Sequence, residues 1–356
     1  MTMHEGETRT GQPQASVHDP RRVVRARWVI ILLVASLLLA LAANLCLGSV
    51  RVPLDEIVPI LLGAHRGETA YQVIWNIRLP RLLAAALLGG ALALSGLLLQ
   101  TLFSNPIAGP YVLGISNGAK LAVAFVMIMV VGDVAIMTSW MSMLAAFMGS
   151  LAVMAAVLVI SRHVRSAGTL VIAGVMIGYI CSAATDLLVT FASDANIANL
   201  RNWSQGSFSG INAEQVVAIT VVVAVASACV FLISKPLGAF QLGESYAQSV
   251  GVDVPTFRIV VILLSSVLAA SVTAFAGPIS FVGVAVPHVA RRLLGTSKPL
   301  LVVPVTFLAG SVACLLCDLL ARSLFAPIEM SVSTVTAIFG APIVIWVLLS
   351  RKGREV

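Results

Sequence analysis

Trp28-Val-Ile-Ile-Leu-Leu-Val-Ala-Ser-Leu-Leu-Leu-Ala-Leu-Ala-Ala-Asn-Leu-Cys-Leu47 carries no charge over 20 residues. As a helix it spans about 30 Å, the thickness of a bilayer's hydrocarbon core. A secretory leader is the competing reading, but the run is long enough to span and ends without a clean small-x-small cleavage site. Nine further apolar runs follow, at roughly 82–103, 112–131, 137–160, 169–192, 213–233, 257–276, 279–294, 299–321 and 332–349. The eighth is short and contains Pro287, so a broken or tilted helix is expected there. These runs predict an all-α, polytopic membrane protein with about ten transmembrane helices.

Composition agrees. The chain has 356 residues, 59% of them hydrophobic and 10% charged, with a mean hydropathy of +1.02. A soluble domain carries roughly 25% charged residues. Twenty-seven glycines suit helices that pack closely in lipid. The 356 residues could make two or three soluble domains, but the recurrence of apolar runs to Leu349 predicts one membrane domain over 28–350, preceded by a polar, disordered cytoplasmic tail over 1–27.

The formal net charge of +7 is read as topogenic charge on short loops, not as a nucleic-acid surface. With the N-terminus inside, 15 of the 22 Lys and Arg residues fall on inner segments and six on outer ones, while Lys120 lies within the third run. An even number of spans then puts both termini in the cytoplasm. Four outer arginines before the second run, Arg51, Arg66, Arg78 and Arg81, go against this bias and need a separate cause.

No GxxxxGK[ST] phosphate loop, HExxH or Cys/His cluster occurs, so no catalytic residue, metal ligand or cofactor is assigned. Cys314 and Cys317 have CxxC spacing but sit within an apolar run, where packing explains them. Intramembrane charge is a functional signal by default. Asp318 and Arg322 have i,i+4 spacing and can pair, Lys120 can snorkel to an interface, and Asp186 has no evident sequence partner. Arg78-Leu-Pro-Arg81 is expected to hold two fixed positive charges in water, either for an acidic partner or as an interfacial anchor. The longest inner loop, 235–255, has Leu242, Ala247 and Val250 at helical spacing, with Gly243 and Gly251 as punctuation, which predicts a short surface helix able to fit a partner's groove.

Longer motifs carry a resemblance. Arg78-Leu-Pro-Arg81, Gly89-Gly-Ala-Leu-Ala-Leu-Ser-Gly96, Gln100 and Asn105-Pro-Ile-Ala-Gly-Pro-Tyr-Val-Leu-Gly-Ile-Ser-Asn-Gly-Ala119 follow one another in order. Trp203 with Gly206-Ser-Phe208, Leu242-Gly-Glu244 with Gly251, and Gly277-Pro-Ile-Ser-Phe-Val-Gly283 with Pro287-His288 and Arg291 come next. Asp318, Ala321-Arg322 and Gly340-Ala-Pro342 complete the set. Together they resemble the FecCD-type permeases, membrane subunits of importers for iron–siderophores, haem and vitamin B12. Ile107 and Glu329-Met-Ser331 depart from the family pattern, which more often has Leu at the first position and something closer to a Pro-Gly pair at the second.

The resemblance implies a type II ABC importer permease fold in the bacterial inner membrane. It implies a homodimer with its pathway on the two-fold axis, separate cytoplasmic ATPase subunits docked on 235–255, and a periplasmic or lipid-anchored substrate-binding protein. It assigns Arg78, Arg81 and Arg322 to binding-protein docking, and Leu242, Gly243 and Glu244 to ATPase coupling. The alternative is an ion- or proton-coupled secondary transporter using Asp186 and Lys120.

Overall fold

The computed structural model describes residues 20–48, 52–64, 66–132, 137–161, 163–164, 167–326 and 328–352. Fifteen α-helices run in chain order among these residues, with no β-strand. They are α1 (Pro20–Cys46), α2 (Leu54–Leu61), α3 (Thr69–Gln72), α4 (Leu79–Leu102), α5 (Ile115–Phe125), α6 (Ser139–Ser161), α7 (Ala167–Thr190) and α8 (Asp194–Ser204). Then come α9 (Ala213–Leu232), α10 (Ser234–Phe240), α11 (Glu244–Ser249), α12 (Val254–Ala276), α13 (Val282–Leu294), α14 (Pro299–Ser323) and α15 (Val332–Lys352). A π-helical segment, Val73–Arg78, joins α3 to α4, and a second, Val126–Val131, extends α5. A 3-10 turn, Pro110–Leu113, leads into α5.

Each of the ten apolar runs falls on a helix. Among the described residues seven helices are long and apolar enough to cross a membrane by length and composition, and Ile115–Val131 and Val332–Trp346 are shorter apolar ones. The expected short eighth run is α13, 13 residues with Pro287 inside. At 1.5 Å per residue it covers about 20 Å, too little to span alone. Non-helical backbone at such depth must be satisfied by protein. The irregular stretches beside it and the adjoining helix ends do this: Ser207 N–H donates to the Ala276 carbonyl (2.8 Å), Val332 N–H to Gly206 O (3.2 Å) and Ser280 N–H to Ser333 Oγ (3.3 Å).

One expectation is corrected at its edge. Residues 1–19 of the predicted tail lie outside the described residues, but 20–27 are helical, forming the first turns of α1. Pro20 opens the helix, a position where its missing N–H is harmless. Arg25 then ties these turns down, donating from Nε to Leu293 O and from Nη2 to Arg292 O, both at 2.8 Å. A cation is favourable there, at the carbonyl end of α13.

α4 is the central helix, buried nearly throughout and packed on α9, α12, α13 and α14. Small residues make that possible. Gly89 faces Gly310 and Cys314 of α14, Gly96 faces Gly283 of α13, and Gly118 of α5 faces Gly149 of α6. In lipid, where apolar side chains gain little by leaving the solvent, close packing and interhelical hydrogen bonds hold such a bundle. Ser95 supplies one, donating to the Ser265 carbonyl of α12 at 2.8 Å, with both groups buried.

Candidate functional site

Two ends of the bundle carry the residues singled out by sequence. At the first, the π-helical turn Val73–Arg78 widens the backbone just before α4 and turns Arg78 towards the end of α1. There its Nη1 donates to the Leu45 and Cys46 carbonyls, which helix α1 leaves without intrahelical partners. One turn on, Arg81 forks onto Asp318 of α14, with Nη2 to Oδ1 at 2.9 Å and Nε to Oδ1 at 3.0 Å. Its remaining nitrogen, Nη1, donates to both Glu329 oxygens at 3.1 Å. Arg322 completes the cluster. Its Nη2 donates to Asn44 O at 2.7 Å and Asn44 Oδ1 at 2.9 Å, and its Nε lies 3.8 Å from Asp318 Oδ2. Asn44 in turn donates to Leu315 O at 3.1 Å, across to α14.

This corrects the expectation of arginines held in water. Arg78, Arg81 and Arg322 are all buried, and Asp318 has no exposed surface. The physical reason is that the three guanidinium groups supply what the ends of α1 and α14 lack: donors for orphan carbonyls and counter-charge for a buried carboxylate. The three cations and two carboxylates leave one positive charge over, and Glu329, about 40% exposed, is the acid at the rim. The expected Asp318–Arg322 pair is present only at 3.8 Å, while Arg81 holds the carboxylate directly. Sequence reasoning missed Asn44 and the pairing of Glu329. The signals were there: an amide inside an apolar run, and an acid where the family pattern has none.

The other end carries the 235–255 loop. It folds as two short helices, α10 and α11, in place of one. They meet at Gln241–Gly243, where Gly243 has φ +117, a conformation that favours glycine. Phe240 stacks on Phe257 of α12 with ring centres 5.1 Å apart, anchoring α10. Ala247 is fully buried, so it is the foot of α11 and not part of its outer face as expected. Tyr246 on α11 is exposed, and so are Leu242 and Val250 in the turns at its two ends. Glu244 pairs with Arg258 at the start of α12.

Other motif residues meet in a joint between α4, the 103–114 connection and α13. Gln100 Nε2 donates to Val284 O at 3.0 Å, Arg291 Nη1 to Gln100 Oε1 at 3.2 Å, and His288 Nε2 to Pro106 O at 2.7 Å. This polar net is structural, linking segments that have no side-chain chemistry of their own. Cys314 and Cys317 are buried free thiols. Among the described residues no group of three His, Cys, Asp or Glu is placed to hold a metal ion. Lys120 is half-buried on α5 and Asp186 exposed on α7, and neither has an ion-pair partner among the described residues.

Comparison with known proteins agrees with the motif pattern. Residues 32–350 match the FecCD transport family. The chain is 35% identical over 318 residues to the vitamin B12 import system permease protein BtuC of Klebsiella pneumoniae subsp. pneumoniae, covering 89% of this chain and 92% of that protein. It is 34% identical over 326 residues to the protein of the same name from Citrobacter koseri, covering 92% and 95%. A solved structure of a metal-chelate type ABC transporter in an inward-facing conformation superposes with a TM-score of 0.81 at 28% identity, over 91% of this chain and 99% of that one. PsaBC from Streptococcus pneumoniae shares the fold at a TM-score of 0.51 and 14% identity.

Proposed function

The chain belongs to the FecCD transport family, and from that premise we propose that it is the permease of an ABC importer that passes a metal chelate through the inner membrane, powered by separate ATPase subunits. The observation that carries this reading is the exposed Leu242–Tyr246–Val250 stripe at one end of a membrane bundle whose sequence has no phosphate loop. Such a chain needs energy from outside, and a rigid turn with three apolar side chains is a surface for receiving it. Leu242, Gly243 and Glu244 form that turn, so the ATPase contact is proposed there. The 235–255 end is then cytoplasmic, as are both termini.

The opposite end, with Arg78, Arg81 and Arg322, is the proposed seat of a substrate-binding protein. Because these arginines are engaged within the chain, a docking acid would act by exchanging with Glu329 for Arg81, drawing on the one surplus positive charge. A second copy of the chain is proposed to complete the passage. The B12 permeases among the relatives make a cobalamin the first cargo to test, with an iron–siderophore and haem next; each is a bulky metal chelate.

Two results test the reading. The purified chain alone is expected to show no ATP hydrolysis, and vesicles holding it with its ATPase are expected to take up chelate only when ATP is supplied. Uptake driven by a proton or sodium gradient without the ATPase would overturn the importer in favour of a secondary transporter. Tyr246→Ala is expected to weaken ATPase binding about 30-fold, a loss of roughly 2 kcal/mol for a buried aromatic anchor. Binding at the parent affinity, measured in detergent with the purified ATPase, would remove the stripe from the contact. Glu244→Arg is a poorer probe, because it sets two cations together where Glu244 now meets Arg258.

A further inference from the structure

The face of α1 that turns towards the end of α13 joins a charge to a long apolar stripe. Arg25, Trp28, Leu32, Ala35 and Leu39 follow at spacings of three, four, three and four, which puts them on one side of the helix, and all five are exposed. Beyond Trp28 every exposed residue of α1 is apolar, as expected of a helix against lipid. Arg25 sets the direction of this side by bonding to the Leu293 and Arg292 carbonyls of α13. α13 also packs on α15. There the Arg292 guanidinium lies over the Trp346 ring, 3.8 Å from its centre, and Trp346 is itself exposed. Exposed tryptophans beside one helix end mark the level where headgroups meet acyl chains.

The charge at this corner is not balanced. α1, α13, the Gly295–Lys298 turn and α15 contain no Asp or Glu. Arg25, Arg27 and Lys298 are exposed and make no ion pair among the described residues. Arg25 uses Nε and Nη2 on carbonyls, but its Nη1, beside Gly295, has no hydrogen-bond partner among the described residues. Topogenic charge accounts for cations at this end, but it requires no fixed geometry. Here Arg25 is held by two carbonyls and Arg292 by an aromatic face. A guanidinium held in place presents paired donors to a phosphate.

We propose that this corner binds an anionic glycerophospholipid: Arg25 and Arg292 hold the phosphate, Arg27 and Lys298 add to its attraction, and an acyl chain lies along Trp28, Leu32 and Leu39. From Trp28 to Leu39 is 11 residues, about 16 Å of helix, the depth of one leaflet of a roughly 30 Å hydrocarbon core. That stripe selects a lipid over a soluble phosphate, which would leave it uncovered. A zwitterionic headgroup fits less well, since its ammonium would meet further cations and no carboxylate. Lipid binding here does not depend on whether an ATPase drives the chain.

The purified full chain in detergent is titrated with dioleoylphosphatidylglycerol or dioleoylphosphatidylcholine, and the lipid-bound fraction is read by native mass spectrometry. The anionic lipid is expected to bind more tightly. Arg25→Gln is expected to weaken binding of that lipid about fivefold and of the zwitterionic one little, while Arg25→Lys keeps most of the preference. Arg25 also ties α1 to α13, so Arg27→Gln with Lys298→Gln, which leaves those bonds intact, is the second variant, with a similar loss expected. Lys235→Gln is the control. It removes an exposed cation from α10, whose Gly238 sits beside Pro299 at the same end of the bundle, and is expected to leave binding unchanged. Equal affinity for the two lipids, or an equal loss from Lys235→Gln, would reduce the corner to diffuse topogenic charge and overturn the proposal. Displacement of the lipid by excess inorganic phosphate would leave an anion site only, and cross-linking of Leu32→Cys between two copies, above that of the parent chain, would make the face a subunit contact; either result overturns it.

Discussion

Asp318→Ala is expected to destabilise the protein by about 3–5 kcal/mol, the range for removing one member of a buried ion pair. The carboxylate has no exposed surface and is the shared counter-charge of Arg81 and Arg322. Without it, two guanidinium groups stay buried against Glu329 alone, and Glu329 is partly in water. Asp318→Asn keeps the shape and an acceptor oxygen but not the charge, so its loss should be nearly as large. Glu329→Gln should behave differently. Its pair with Arg81 is half-exposed, and exposed pairs contribute about 0.2–1 kcal/mol. Denaturant titration of the purified chain in detergent, followed by tryptophan fluorescence, separates the three. A loss below about 1 kcal/mol for Asp318→Ala would show that the network is hydrated and not the buried staple described above. Arg78→Glu with Arg81→Glu, an obvious variant for testing partner docking, would add two carboxylates to a cluster that already holds Asp318 and Glu329 and report mainly this instability.

The spans were legible in the sequence because lipid imposes a simple rule: about 20 apolar residues in a row, with few charges. α1, α6, α7, α9, α12 and α14 follow it closely, and the short α13 was signalled by Pro287. What was not legible depends on distance in the fold. Arg81 and Asp318 lie 237 residues apart, and Arg322 and Asn44 278 apart. Charge counting can say only that Arg78 and Arg81 lie on the less favoured side. It cannot say that they turn inward to the end of α1 and to α14. The first turns of α1 were hidden for a similar reason. Pro20 to Arg27 is polar and reads as tail until Arg25 finds the carbonyl end of α13. In the 235–255 loop a short helix was legible, but the break at Gly243 and the burial of Ala247 were not. Ala247 and Tyr246 are neighbours, and only packing decides which is buried.

Gly96→Ala is expected to have the other large effect, and it isolates the role of glycine in the bundle. A Cβ built at Gly96 would lie 1.7 Å from the carbonyl oxygen of Gly283 and 2.4 Å from its carbon. These are backbone atoms at the start of α13, so no rotamer change can make room. Either α13 moves or α4 does. α4 has no freedom, since it packs on α9, α12, α13 and α14 together. Moving α13 would lengthen the bonds from Gln100 to the Gly283 and Val284 carbonyls, now 3.4 and 3.0 Å, and draw His288 from Pro106. Overpacking a tight core costs typically 1–3 kcal/mol; with a backbone obstacle the upper end, about 3 kcal/mol, is expected here. Gly238→Ala is the matched control. It also lies in a helix, but its added Cβ would meet only the Pro299 ring, with Cδ at 3.4 Å and Cγ at 3.7 Å. There the gain in helix propensity, roughly 0.5–1 kcal/mol, should leave stability unchanged or raised. Both are read from denaturant midpoints in one detergent. If Gly96→Ala were as stable as the parent chain, α4 and α13 would not approach at van der Waals distance, and the bundle would be held by side chains and not by backbone contact.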